Sequence, residues 1–304
     1  MATPVPDRRL WPLLTLLLFC SEISAGLAGD PVEFTYRANV TEVRLNFSAT
    51  DLNDHGVATL QATDFAVVDK DVIVRNFQSF TRSDWTKLEI AILVDASESV
   101  TPQFRQEMAG LVELVSQTAG VPEDNLSIFT FHGLKPVPLC AGDCRASHAA
   151  ERLPAAGTGG LTSLFDSIVF TANFLSDRGD AHAGKVLILF SDGSDTISRN
   201  SFADALESAL RNDVQMYCID LTPPRDSSQG AAVLRNLAGA TGGHYFPRNQ
   251  ASRTVQVILE GFRASYTVSY RVPSQDPGFH IVRILPTHNL NLQFRSRSGY
   301  YYPN

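Results

Sequence analysis

The sequence predicts an α/β protein: a doubly wound, mostly parallel sheet inserted in a β-sandwich formed by the N- and C-terminal segments. Three observations carry this expectation. Apolar residues repeat with period two before Trp85 and again after Phe262. Between those stretches, continuous apolar runs alternate with helical patterns, as in a parallel sheet buried on both faces. The two flanks, about 55 and 40 residues long, are each too short to bury a core alone, so they are expected to pair with each other.

The chain has 304 residues, 44% hydrophobic and 19% charged, a composition that fits a globular fold and not a disordered one. Twenty-five basic residues against 32 acidic ones give a formal charge of -7, which lacks the electrostatic footprint of a general nucleic-acid binder. Residues 1–28 read as an export signal: Arg8 and Arg9, then the apolar run Leu10 to Cys20, then small residues around Ala25 to Ala28. That run is too short for a permanent span, and no later stretch approaches ~20 consecutive apolar residues. The mature chain is therefore expected to be periplasmic or extracellular, without membrane insertion. Phe19, a bulky residue before Cys20, argues against a lipid anchor.

The N-terminal part of the sandwich covers residues 29–85. In it, Val43, Leu45, Phe47 and Ala49 alternate with polar neighbours, and Phe65 to Phe80 reads as two strands around the polar turn Asp69 to Asp71. Asp51 to Gly56 imitates the start of an EF-hand loop, but His55 occupies a ligand position and Ala62 stands where the bidentate Glu belongs, so a hairpin turn is expected. Residues 86–262 form the α/β domain. Its strands are Leu88 to Val94, Leu126 to Phe131, Val186 to Phe190, Val214 to Ile219 and His244 to Phe246. Thr101 and Pro102 can open a helix with the buried stripe Phe104, Met108, Leu111 and Val115; further helices fit Ser163 to Phe174, Phe202 to Arg211, Ala231 to Ala240 and Thr254 to Phe262. Residues 263–304 return to period two through Tyr266, Val268, Tyr270 and Val272, then His280 to Leu285 and Leu290 to Phe294.

The first strand of the α/β domain ends in Asp95-Ala-Ser97-Glu-Ser99, where a parallel sheet presents its ligand crevice. Two more oxygen donors occupy matching places: Thr162 just before a helix, and Asp192 just after a strand. Carboxylates and hydroxyls are hard donors that suit Mg²⁺, Mn²⁺ or Ca²⁺ and poorly suit zinc or copper. The alternative is that Asp95, Ser97, Ser99 and Thr162 are ordinary turn and cap residues.

This constellation resembles the von Willebrand factor A domain and its metal-ion-dependent adhesion site, the pattern Asp-x-Ser-x-Ser, then Thr, then Asp. The resemblance extends to ATGGHYF at Ala240 to Phe246. The flanks LQATDFAVVDKDVIVRNFQSF, GFRASYTVSYRVP and RSRSGYYY add a likeness to exported VWFA-related proteins first defined in Acidobacteria, which share a β, A domain, β layout. The likeness to the A domain implies that the Ser and Thr hydroxyls ligate Mg²⁺ (or Mn²⁺ or Ca²⁺) while Asp95 and Asp192 act directly or through water. A coordination position is then left for an Asp or Glu of a partner protein. Glu98 and Asp195 are expected at the partner-contact rim, with helix capping as the other role for Asp195.

Cys140 and Cys144 are expected in a loop, with the turn-forming Ala141 to Asp143 between them, and in an exported protein are expected to form a disulfide. A Cys₂His₂ zinc site with His132 and His148 is the rival. Cys218 reads as a small buried hydrophobe. Enzyme signatures fail: in Gly179 to Lys185 the phosphate-loop Ser/Thr is replaced by Val186, and neither G-x-S-x-G nor H-E-x-x-H occurs. Asn39, Asn46 and Asn125 stand in N-x-S/T sequons. The function expected is a secreted, metal-dependent binding module without catalytic residues. A metal-assisted hydrolase with Glu98 as base, or a structural envelope module with an empty site, are the alternatives.

Overall fold

The computed structural model describes residues 42–53, 55–82, 88–97, 125–142, 144, 151–153, 160–178, 183–222, 229–247, 261 and 265–303. The export signal, the helix expected from Thr101 to Val115, most of that expected from Thr254 to Phe262, and Glu98, Ser99 and His148 lie outside them.

Fourteen strands and three helices are described. The strands are β1 (Glu42–Thr50), β2 (Phe65–Asp69), β3 (Val72–Val74), β4 (Ser79–Arg82), β5 (Leu88–Asp95), β6 (Leu126–His132), β7 (Lys135–Ala141), β8 (Gly184–Ser191), β9 (Val214–Asp220), β10 (His244–Phe246), β11 (Ser265–Arg271), β12 (Gly278–Pro286), β13 (Gln293–Ser296) and β14 (Gly299–Tyr302). The helices are α1 (Leu164–Arg178), α2 (Phe202–Arg211) and α3 (Gln229–Ala240).

Six strands form one sheet in the order β10-β9-β8-β5-β6-β7. Every pairing in it is parallel except β6 with β7. Its central strands are apolar on both faces because both faces are covered: β5 is buried at every position but Glu89. On one face, Leu93, Phe129, Leu187 and Leu189 pack with Leu164 and Ile168 of α1, Ala205 and Ala209 of α2, and Leu234 and Leu237 of α3. On the other, Ile92, Val94, Ile128, Val186 and Ile188 form a second cluster with Leu153 and Phe246. The sequence reading has no strand at β7, whose Pro136 and Pro138 obscure it. Proline is tolerated there because β7 is the sheet's edge, and it pairs antiparallel with β6.

The remaining strands form two four-stranded sheets, β13-β1-β11-β4 and β14-β12-β2-β3. Each mixes strands from before and after the parallel sheet. β1 pairs antiparallel with β11, and β2 with β12. The inward residues of both sheets, including Val43, Leu45, Phe47, Phe65, Val67, Val268 and Ile284, share one apolar cluster. The period-two reading of β1 and β12 follows this burial closely. In the hairpin between β2 and β3, Lys70 and Asp71 both take positive φ, the backbone that a two-residue turn requires. Asp69, read from sequence as part of that turn, is instead fully buried at the end of β2. Phe65 to Phe80 holds the two expected strands, and a further strand, β4, begins at Ser79. The loop after β1 is a turn held by Asp51, whose carboxylate accepts the N–H groups of Asn53 (2.8 Å) and His55 (2.9 Å).

The C-terminal strands also touch the parallel sheet's helices. Ser298 N–H donates to Ala240 O (2.7 Å), Arg297 pairs with Asp213 (3.1 Å), and the Arg211 guanidinium lies 4.2 Å from the centre of the Tyr301 ring. Asn46, one of the sequon residues, has its amide in this contact: its Nδ2 donates to Asp213 (3.3 Å) and its Oδ1 accepts from Thr267 (2.8 Å).

Candidate functional site

Because β5, β8 and β9 run parallel, their last residues Asp95, Ser191 and Asp220 lie on one edge of the sheet. Asp95 is fully buried. One carboxylate oxygen accepts the Ser97 N–H (2.9 Å) and the other accepts the Ser191 hydroxyl (2.9 Å). Burial pushes the Asp95 carboxyl up to about 6, and the nearby charge of Asp192 adds to the rise. Asp192 lies just past the end of β8, the parallel neighbour of β5. Ser97 and Thr162 are buried, and Asp192 is half-buried.

Thr162 belongs to the loop before α1, and the loop after β8 is fastened to it. Its carbonyl accepts N–H bonds from Thr196 (2.8 Å) and Ile197 (3.2 Å), while its own N–H donates to the Thr196 hydroxyl (2.6 Å). These bonds use the Thr162 backbone and not its hydroxyl. Asp195 accepts the Phe165 N–H in the first turn of α1 (3.3 Å), and also the Ser198 N–H (3.3 Å) and hydroxyl. Its carboxylate thus caps the helix and braces the loop.

Three supporting residues were missed in the sequence. Ser191, in the run SDGSD, holds Asp95 and also accepts the Gly193 N–H (3.0 Å). Asp166, in the first turn of α1, accepts the N–H groups of Arg199 (3.1 Å) and Asn200 (2.8 Å); burial opposes its charge, but these bonds prevail and hold its carboxyl below the usual range. Asp220 accepts the Thr222 N–H (2.7 Å) and the Tyr245 hydroxyl, while the Thr222 hydroxyl reaches Asp192 O (3.4 Å). Burial, then the Asp220 carboxylate, push the Tyr245 hydroxyl up to about 12. A strand ending in an acid was the available signal for Asp220. Nothing local marks Ser191, because its partner lies 96 residues away.

The turn after β8 sits directly against the start of α3. Gly193 has φ +79, and a Cβ there would fall 2.3 Å from Gly230 O; one on Gly230 would fall 2.0 Å from Asp192 O. Gly230→Ala is expected to displace the Asp192 loop and destabilise the fold by about 1–3 kcal/mol. Chemical denaturation checks this, and a midpoint equal to the parent's would show that the two backbones are not in contact.

Cys140 and Cys144 form a disulfide, with Cys140 in β7 and not in a loop. The pairing removes both sulfurs from the Cys₂His₂ alternative. Cys218 is free and buried, and burial pushes its thiol up. Among the described residues, no group of three or more His, Cys, Asp or Glu side chains is placed to hold a metal ion. The oxygen groups at this edge, the carboxylates of Asp95 and Asp192 with the hydroxyls of Ser97 and Thr162, are hard donors of the kind that would suit Mg²⁺, Mn²⁺ or Ca²⁺.

Residues 90–194, the stretch from β5 through Asp192, match the family model of the von Willebrand factor type A domain. The chain carries an A domain. No curated protein is similar to it at the level of sequence. Among solved structures, an aerotolerance-related membrane protein of Bacteroides fragilis is similar over 58% of this chain and 98% of its own, at 14% identity and a TM-score of 0.43. Proximal thread matrix protein 1 of the mussel byssus is similar over 64% of this chain, at 14% identity and a TM-score of 0.49; the match spans 51% of the mussel chain. BatB of Bacteroides thetaiotaomicron is similar over 56% of this chain and 97% of its own, at 15% identity and a TM-score of 0.40. No helix among the described residues is long and apolar enough to cross a membrane.

Proposed function

We propose that this chain is an exported, divalent-metal-dependent protein-binding module of the adhesion type, with its doubly wound A domain inserted in a β-sandwich made by its two ends. Buried Asp95 at the end of β5, with Asp192 just past the end of the neighbouring parallel strand β8, carries this reading. Two like charges held together in a partly dry site favour a cation between them. Asp95, Ser97, Ser99, Thr162 and Asp192 would hold Mg²⁺, Mn²⁺ or Ca²⁺, and the bound ion would supply an electrophilic position for an Asp or Glu of a partner protein. Glu98 and Asp195 would flank that position. The staple between the two loops supports the same reading, since it ties the segment that carries Thr162 to the one that follows Asp192.

The reading is of a binder and not of an enzyme. The carboxylates described at this edge are held by structural hydrogen bonds: Asp95 by Ser97 and Ser191, Asp195 by the start of α1, Asp220 by Thr222 and Tyr245. Capture of native envelope proteins on the immobilised chain tests the proposal. Retention is expected with Mg²⁺ or Mn²⁺, loss with chelator, and a roughly tenfold weakening in Thr162→Ala, which removes one hydroxyl ligand but keeps the backbone staple. Undiminished retention in chelator by a folded protein would move the binding surface elsewhere.

A further inference from the structure

A second cleft, of about 620 Å³, lies between α3, β10 and the strands β12 and β13, and meets the groups described at the carboxylate edge through Tyr245. That volume falls in the ~300–1,000 Å³ range of ligand sites. Among the described residues its charged lining is Arg235, Arg283 and Arg295, with no Asp or Glu, in a protein of net charge -7. The local sign of charge is thus opposite to that of the whole. Arg235 is held with its guanidinium 4.8 Å from the centre of the Tyr245 ring, and Arg283 is exposed, 3.4 Å from the still more open Asp71.

The backbone of the cleft is as distinctive as its charge. Pairing between β12 and β14 ends at Ile281 with Gly299, and the last bond across it is Val282 N–H to Ser298 O (2.8 Å). Pairing of β12 with β2 continues on the other side to Pro286. Among the described residues, no strand follows β14 along this side of Arg283 to Leu285. Backbone direction repeats every second residue, so the N–H and C=O of Ile284 point the same way as the Val282 N–H, into the space that β14 leaves. β13 diverges there to become the edge of the other four-stranded sheet.

We infer that this cleft binds an extended acidic peptide of a partner protein, which adds as a strand to the open half of β12. Main-chain bonds to Ile284 would give it register, and carboxylates on alternate residues would meet the arginines, whose planar guanidinium suits two-point pairing with carboxylate. Apolar residues between them would face Val282 and Phe294, which also line the cleft.

The test uses the full mature chain and a fluorescent eight-residue peptide of alternating Glu and Val, read by anisotropy. Replacing Glu by Lys, or N-methylating the amides on one edge of the peptide, is expected to weaken binding by roughly tenfold or more. The double variant Arg235→Glu, Arg283→Glu should do the same; both side chains are exposed, and an unchanged circular dichroism spectrum confirms the fold. Amide exchange at Ile284 should slow when the peptide binds. Chelator and Asp95→Ala should leave the affinity unchanged, which separates this site from the metal-dependent one. Equal binding of the N-methylated peptide, equal competition by a sulfated polysaccharide, unaltered affinity in the double variant, or unchanged exchange at Ile284 would each overturn strand addition.

Discussion

Mg²⁺ or Mn²⁺ present at about 100 times its Kd is expected to stabilise the folded protein by roughly 2.7 kcal/mol, because an ion that binds only the native state shifts unfolding by mass action. For a chain of this size, that is an increase in Tm of roughly 5–10 °C. The argument rests on Asp95, which is fully buried and whose carboxyl is raised by burial and by the charge of Asp192. A cation between the two acids would offset both effects. Asp95→Ala and Asp192→Ala should each abolish the increment, as measured by thermal unfolding with and without the ion. If both variants keep the full metal response, the ion binds elsewhere in the chain.

The parallel sheet's strands are legible because burial on both faces leaves continuous apolar runs: Leu88 to Val94 falls one residue short of β5, and among the helices Phe202 to Arg211 coincides with α2. That helix also carries a strong local signal, a capping box between Ser201 and Asp204. Legibility fell where structure depends on distant partners. β7 contains two prolines and is a strand only because β6 lies beside it. β14 follows a run of Arg and Ser and is defined by pairing with β12. At the candidate site, Asp95, Thr162 and Asp192 follow a recognisable spacing. The groups that position them, Ser191, Asp166 and Gly230, act across bonds and contacts that no local pattern records.

Asp69→Ala is expected to be the most destabilising substitution in the four-stranded sheets, costing about 3–5 kcal/mol, because it leaves two buried hydroxyls without their acceptor at roughly 1–3 kcal/mol each. Asp69 and His280 are both fully buried. Asp69 Oδ2 accepts the hydroxyls of Tyr270 and Tyr300, each at 2.9 Å, and Oδ1 lies 3.6 Å from His280 Nδ1. His280 also contacts the Tyr300 hydroxyl (3.0 Å) and the Asp276 carbonyl (2.7 Å), and its ring stacks 5.5 Å from that of Tyr302. Burial pushes the Tyr270 and Tyr300 hydroxyls up, so both remain donors, with Arg297 opposing the shift from nearby. Tyr270 belongs to β11 in one sheet, while Asp69, His280 and Tyr300 belong to β2, β12 and β14 in the other. One carboxylate therefore ties the two sheets together, and its removal leaves two tyrosines and a histidine without their common partner. Asp69→Asn keeps an acceptor for the tyrosines and should cost less than Asp69→Ala, with Tyr300→Phe smaller again at about 1–3 kcal/mol. Denaturant midpoints of the three variants give the ranking, and a loss below about 1 kcal/mol for Asp69→Ala would show that the apolar cluster holds the sheets together without it.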